Sequence, residues 1–295
     1  MANTELEHPK YIDTPRGRFA YLEAGSPDAP LVLCLHGFPD HAHTWMHLLP
    51  QLASAGFHAV APWLRGYAPS CLDGPFNLET LRDDILALNQ AMASNQPSML
   101  IGHDWGAAIT CAAIAKAPMA FQRAITLAVP HALNFLQRGF VSRAQLRRSR
   151  YILLFQLPGV SDAMGRRNDF NYIDTLWKRW SPGLDIDTAF HRELKLCLRQ
   201  SMPAPLEYYR AMTRPVGPAL QRLMDPQRAE RAIAVPTLHL HGQSDGCVGP
   251  ECLEGQTRFF SGEFREVVLP GLGHFLHLED PERVGQLAID WLSSH

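Results

Sequence analysis

The sequence predicts an α/β fold in which a mostly parallel central sheet is flanked by helices and carries an inserted helical cap. Three observations predict it. Short apolar runs alternate with amphipathic stretches along most of the 295 residues. Several of those runs are continuously apolar, as in strands buried on both faces. One long stretch, from Pro130 to Pro236, contains no such run. Strands alternating with helices imply βαβ units and therefore parallel pairing.

In chain order, YIDTPRGRFAYLEAG (11–25) places a turn signal between two alternating segments and reads as a leading antiparallel hairpin. LVLCLHG (31–37), FHAVAPWLRG (57–66), SMLIGHDWG (98–106), RAITLAVPH (123–131), TLHLHGQSD (237–245) and REVVLPGLGH (265–274) each read as a buried strand ending in glycine, proline or polar residues. Helical periodicity fills most gaps, as in LETLRDDILALNQAM (78–92), GAAITCAAIAKA (106–117) and PERVGQLAIDWLSS (281–294). Between Pro130 and Pro236 stand amphipathic segments such as FVSRAQLRRSRYILLFQLPG and AFHRELKLCLRQSM. A structureless loop of that length is uncommon, so a helical cap over 133–215 is expected, dividing a core of 1–132 and 216–295. The basic run RAQLRRSR (143–150) fits a solvated helix face.

Composition narrows the partners. A hydrophobic fraction of 46%, a charged fraction of 19% and a net charge of −2 describe an ordinary globular chain without broad attraction to nucleic acid or anionic membrane. Six scattered cysteines without a C-x-x-C pair suit thiols in a reducing compartment, and MANTELEHPK lacks the apolar stretch of a secretory signal. A cytoplasmic location follows as the expectation. No cofactor or metal is implied: phosphate-binding glycine loops are absent, and His239 and His241 alternate along a strand as packing residues would.

The chemistry centres on Gly102-His103-Asp104-Trp105-Gly106, between an apolar strand and an alanine-rich helix. That is where a nucleophile elbow holds its central residue on a sharp turn, with aspartate here instead of serine. An aspartate before a helix also serves as a simple cap, so the motif alone does not decide. Order along the chain does: Asp245 follows one later strand and His274 the next, giving nucleophile, acid and histidine. In an open parallel sheet such strand ends converge on one crevice. The loop His36-Gly37-Phe38-Pro39 ends the first long buried strand, where a backbone N–H enters an oxyanion hole; the N–H of Trp105 would be its partner.

HGFPD, GHDWGA and GLGHFLHLEDPE together resemble the α/β-hydrolase superfamily, and within it the epoxide hydrolases and their haloalkane dehalogenase relatives, which use an aspartate nucleophile. The resemblance implies a cis peptide between Phe38 and Pro39. It also explains the aspartate. A serine attacking an sp³ carbon would leave an ether, whereas a carboxylate leaves an ester whose carbonyl water can attack, and carboxylic acids of reference pKa about 4 need no base to activate them. His274, oriented by Asp245, would deprotonate that water, with the N–H groups of Phe38 and Trp105 holding the oxyanion.

Opening an epoxide generates an alkoxide, for which the resemblance implies two cap tyrosines as proton donors. RYILLFQLPG points to Tyr151 and LEYYRAM to Tyr209, with Tyr208 one residue away leaving the register open. The expected substrate is a small apolar epoxide together with water. Two alternatives stand: a dehalogenase with the same nucleophile, disfavoured by Phe38 where such enzymes often carry asparagine, and a non-catalytic ligand binder on the same fold. Phe135, Phe140, Phe155, Trp177 and Trp180 are candidates to line an apolar pocket, and a homodimer is an open option for the assembly.

Overall fold

A computed structural model describes residues 6, 8–93, 96–139, 141–185, 187–214 and 232–294. Its centre is an eight-stranded sheet in the order β1-β2-β4-β3-β5-β6-β7-β8. The hairpin β1 (Lys10–Thr14) and β2 (Gly17–Ala24) is antiparallel, and β2 pairs antiparallel with β4 (His58–Pro62). From there β3 (Leu31–Leu35), β5 (Ser98–His103), β6 (Phe121–Leu127), β7 (Thr237–Gly242) and β8 (Phe264–Leu269) continue in parallel. Strands β3, β4, β5 and β7 are buried at every position; β3 is accordingly apolar throughout, while β7 alternates leucine with buried His239 and His241.

β8 departs from the buried strand that its sequence suggests. It closes the sheet edge, only Leu269 is fully buried, and Arg265 and Glu266 face solvent. Charges on an edge strand discourage pairing with a second sheet.

Helices α1 (Leu48–Ser54), α2 (Leu78–Met92) and α3 (Trp105–Lys116) connect the first parallel strands. In α2 the Asn77 side chain accepts from the Thr80 N–H at 2.8 Å, and Leu81, Ile85 and Leu88 form the buried stripe at helical spacing. Among the described residues between β6 and β7 run six helices: α4 (Ala132–Gly139), α5 (Arg143–Arg148), α6 (Arg150–Phe155), α7 (Val160–Trp180, with non-helical backbone at Arg167–Phe170), α8 (Thr188–Ser201) and α9 (Ala204–Ala211). The described residues there form no strand, and the expected boundary at 215/216 lies outside the described residues. After β8, α10 (Leu276–Glu279) and α11 (Pro281–Ser293) complete the chain; Asp280 caps α11 through the Arg283 N–H at 3.1 Å, with Pro281 at its first position. Among the described residues no helix is long and apolar enough to cross a membrane.

The topology fixes the site. β3 and β5 are neighbours, so the loop after one meets the turn after the other. β6 hands the chain to the helical insertion, and β7 and β8 lie just beyond it, so the ends of β3, β5, β7 and β8 open beneath the insertion.

Candidate active site

Asp104 occupies the turn between β5 and α3 with φ 53 and ψ −116, a left-handed conformation that a non-glycine residue holds only under constraint. Two glycines make the turn possible. A Cβ on Gly102 would stand 2.2 Å from the Gly106 carbonyl oxygen, and one on Gly106 would stand 2.1 Å from the Leu35 carbonyl oxygen. Backbone cannot yield by that much, so Gly106→Ala should destabilise the fold by about 1–3 kcal/mol or more, read as a lowered urea midpoint. An unshifted midpoint would contradict the close packing of α3 on β3.

Gly37 is small for a different reason. A Cβ there would lie 2.4 Å from the Asp104 Cβ, so only glycine lets the loop approach the carboxylate. The Phe38 N–H then donates to Asp104 Oδ1 at 2.8 Å. Trp105 is the first residue of α3, where helix geometry leaves the N–H without an intrahelical acceptor. Phe38–Pro39 is cis, as the resemblance implied. The Pro39 carbonyl accepts from the Trp177 indole at 2.9 Å, tying the loop to α7. His36 braces the loop from behind: its Nδ1 meets the Gly37 carbonyl at 3.0 Å and its Nε2 accepts from the Leu64 N–H at 3.1 Å. Burial drives its pKa down to about 4, so it stays neutral.

His274 lies between two carboxylates. Its Nδ1 is 2.9 Å from Asp245 Oδ2, and its Nε2, otherwise unpartnered, is 3.6 Å from Asp104 Oδ2. Asp245 Oδ1 accepts from the N–H groups of Cys247 and Val248 at 2.7 and 2.8 Å, which fixes the carboxylate and leaves Oδ2 for the imidazole. Burial alone would lower the His274 pKa, but Asp245 and Asp104 reverse the effect and raise it to about 10.

The insertion contributes from above. Tyr151 on α6 and Tyr209 on α9 are buried with ring centroids 5.6 Å apart, and Tyr209 packs edge-on against both Phe38 and Trp105 at 5.3 Å. The Tyr209 hydroxyl has no hydrogen-bond partner. Tyr208 is different: its hydroxyl donates to the Arg65 carbonyl at 2.5 Å, so in the two-way register only Tyr209 presents a free phenol. Burial, the largest cause, raises the pKa of Tyr151 and Tyr209 well above the usual 10, keeping both protonated.

The sequence context of both tyrosines has a physical meaning. Gln156 of the FQLPG segment donates to the Tyr209 carbonyl at 2.8 Å. Arg210, also buried, donates to the Phe155 carbonyl at 2.9 Å and to Ser161 at 2.7 Å while pairing with Asp162 and Glu207. Together they clamp α9 to α6 and α7. Phe155 packs against Phe38, Tyr151 and Tyr209, and Trp180 lies 5.1 Å from the rings of Tyr151 and His274. Trp177 instead stacks on Phe275 at 3.6 Å, Phe135 is partly buried against the core, and Phe140 lies outside the described residues.

Two residues beside the site carry no assignment in the sequence reading. Asp40, the last residue of HGFPD, is fully buried with Oδ2 unpartnered, and burial raises its carboxyl to about 8. Cys247 places its Sγ 3.5 Å from the Tyr151 hydroxyl. The signal for each was a potential ligand next to a motif already read. Among the described residues, two groups bring metal-ligating atoms within 4.8 Å of one another: Asp40, His103 and His277, and Asp104, Cys247 and His274. His239 and His241 belong to neither; they bond to Thr126 and the Val248 carbonyl.

Known proteins share this arrangement of strands and loops. Epoxide hydrolase A of Mycobacterium tuberculosis is 27% identical, covering 96% of this chain and 97% of its own, and epoxide hydrolase 3 of Mus musculus is 29% identical over 91% of this chain and 72% of its own. Among solved structures, the Bacillus megaterium epoxide hydrolase in complex with an inhibitor superposes with a TM-score of 0.85 at 25% identity, covering 97% of this chain and 100% of that one. Epoxide hydrolase A from Mycobacterium thermoresistibile gives 0.80 at 26% identity over 97% and 98%. The family model of the alpha/beta hydrolase fold matches residues 30–281, from the first buried strand to the start of the last helix, and with that match the chain belongs to the alpha/beta hydrolase fold family.

Proposed function

We propose that the protein is an epoxide hydrolase, converting an apolar epoxide and water to a vicinal diol. One observation carries the reading: a buried, protonated and unpartnered Tyr209 phenol faces the same crevice as the Asp104 carboxylate, beside a second phenol on Tyr151. A halide leaving group has no use for a proton, whereas an epoxide oxygen requires one. The similarity to several epoxide hydrolases along nearly the full chain supports the same reading.

In the first step an Asp104 oxygen attacks a ring carbon, the carbon–oxygen bond breaks, and the epoxide oxygen takes a proton from the Tyr151–Tyr209 pair. An ester on Asp104 results. In the second step His274 removes a proton from water, which attacks the ester carbonyl carbon, and the N–H groups of Phe38 and Trp105 hold the oxyanion. Collapse returns the carboxylate and frees the diol, and the proton taken by His274 balances the one the phenols gave.

Electrostatics time the sequence. While Asp104 is ionised it helps hold His274 protonated, at a pKa of about 10. Esterification removes that charge, so the imidazole releases its proton to solvent and stands as the free base before water attacks; the site regains that proton from solvent once the carboxylate is restored. The cap (133–215), rather than the core, supplies both phenols, and the enclosed aromatic wall suits an apolar substrate.

A single turnover in H₂¹⁸O with enzyme in excess tests the route. Ester chemistry leaves the first diol free of solvent ¹⁸O and puts the label on Asp104; direct attack of water labels the diol at once. Release of halide from haloalkanes, with every epoxide left intact, would overturn the assignment.

The tyrosines give a graded expectation. Tyr151→Phe and Tyr209→Phe should each lower the rate of ester formation by about 10²-fold or more, the range typical for general acids. Tyr208→Phe should instead lose its bond to the Arg65 carbonyl, at about 1–3 kcal/mol of stability, with ester formation slowed only severalfold. Stopped-flow tryptophan fluorescence beside thermal unfolding separates the two effects, and a Tyr208 variant slower than the Tyr209 variant would reverse the register.

A further inference from the structure

Cys247 is a thiol on the wall of the site for which the epoxide reaction has no use. It follows the Asp245 turn, is fully buried, and presents Sγ to the Tyr151 hydroxyl at 3.5 Å. Its sulfur, an Asp104 oxygen and a His274 nitrogen all lie within 4.8 Å of one another. Asp104 Oδ2 and His274 Nε2 are 3.6 Å apart, and that nitrogen has no hydrogen-bond partner although the residue is fully buried. In tetrahedral zinc sites, metal–ligand bonds of about 2.0–2.3 Å place neighbouring ligand atoms roughly 3.3–3.7 Å apart. The three groups therefore need only small side-chain adjustments to share one ion.

We propose that Asp104, Cys247 and His274 form a binding site for a thiophilic divalent cation of the zinc class, and that its occupancy switches the enzyme off. The donor set is one sulfur, one imidazole nitrogen and one carboxylate oxygen, which favours Zn²⁺ and its borderline-soft relatives over Mg²⁺ and Ca²⁺, whose preferred ligands are all oxygen. Three protein ligands leave a fourth position for water or a phenol of the tyrosine pair. On binding, the Cys247 S–H and any proton on His274 Nε2 are released to solvent, and the sulfur, nitrogen and oxygen lone pairs coordinate the ion; nothing is oxidised or reduced. The bound ion takes the Asp104 lone pair needed for attack on the epoxide and the His274 nitrogen needed for water, so both steps stop together. The inhibition half of the proposal rests on the epoxide hydrolase reading; the binding half rests on geometry alone.

Co²⁺ titration of the full chain, with Zn²⁺ as competitor, separates the two halves. A near-ultraviolet thiolate-to-cobalt band saturating at one equivalent is expected in the unaltered protein and in Cys71→Ser, with the half-buried Cys71 as control. The band should be missing from Cys247→Ser, and weakened by about tenfold or more in apparent affinity in His274→Ala. The nearby Asp40, His103 and His277 group contains no sulfur and cannot give that band. Zn²⁺ should inhibit epoxide turnover competitively, and Cys247→Ser should need about tenfold more Zn²⁺ for half-inhibition, relative to its own uninhibited rate. A band that persists in Cys247→Ser, or none in the unaltered protein, overturns the site. Should the band appear as expected while no epoxide is turned over, the site stands and the reaction assignment fails instead.

Discussion

Asp104→Ala should reduce epoxide turnover by roughly 10⁴-fold or more, the scale seen when the nucleophile of a catalytic triad is removed. The reason is chemical: on the proposed route no ester forms without the carboxylate, and among the described residues no other carboxylate accepts from the Phe38 N–H beneath the tyrosine pair. Asp245, the nearest acid in the triad, is held by two backbone N–H groups and the His274 ring. The variant should remain folded, because the lost side chain accepts one backbone hydrogen bond, from Phe38, and an unpaired buried N–H costs about 1–3 kcal/mol. Initial rates with an aryl epoxide, beside a thermal melt, are the measurement. Alanine is preferred to asparagine because the water chemistry of the site can hydrolyse an amide there back to aspartate. Turnover within tenfold of the unaltered enzyme would remove Asp104 from the reaction.

His274→Ala should have an effect of similar size on steady turnover but of opposite appearance on the protein. On the proposed route ring opening uses Asp104 and the phenols, so the first step should continue while the second stalls without the base. Each molecule of enzyme should therefore consume about one epoxide and stop. Intact-protein mass spectrometry should show a gain equal to the whole epoxide, mapped to Asp104. A gain equal to an alkyl group, from a chloroalkane or bromoalkane panel run in parallel, would mark a dehalogenase. Neither gain, with steady diol production, would place the base elsewhere. The variant also leaves Asp245 without its partner in a buried site, so its melting temperature should fall, and the adduct measurement belongs below that temperature.

Much of this was legible before any coordinates. The span of α2 follows directly from its leucine and isoleucine spacing, because local periodicity determines such a helix; the Asn77 cap comes from the structure. That Asp104, Asp245 and His274 meet is readable in the sequence because each follows a strand end, and a parallel sheet brings strand ends together. β8 was misread as buried, since nothing local distinguishes a sheet edge from its centre except charges that side chains of either face can carry. The choice between Tyr208 and Tyr209 was undecidable from adjacent identical letters; it depends on which hydroxyl reaches the Arg65 carbonyl, a contact 143 residues away in sequence. Asp40 and Cys247 carry no local mark of their place for the same reason. Each is an ordinary turn residue until the fold buries it beside His274.

The end of α7 holds more than a pocket wall. The Trp180 carbonyl accepts from the Gly246 N–H at 3.1 Å and from the His274 N–H at 3.0 Å, and Ser181 accepts from the Phe275 N–H at 2.8 Å. The loops carrying Asp245 and His274 are thus hung from the last turn of a helix of the insertion between β6 and β7. Displacing that helix end would break those three bonds, so the relative placement of Asp245 and His274 is set in part by α7 and not by the ends of β7 and β8 alone. The alignment of the carboxylate with the imidazole is therefore a joint property of the sheet and the insertion, and a change that loosens the end of α7 reaches Asp245 and His274 without touching either side chain.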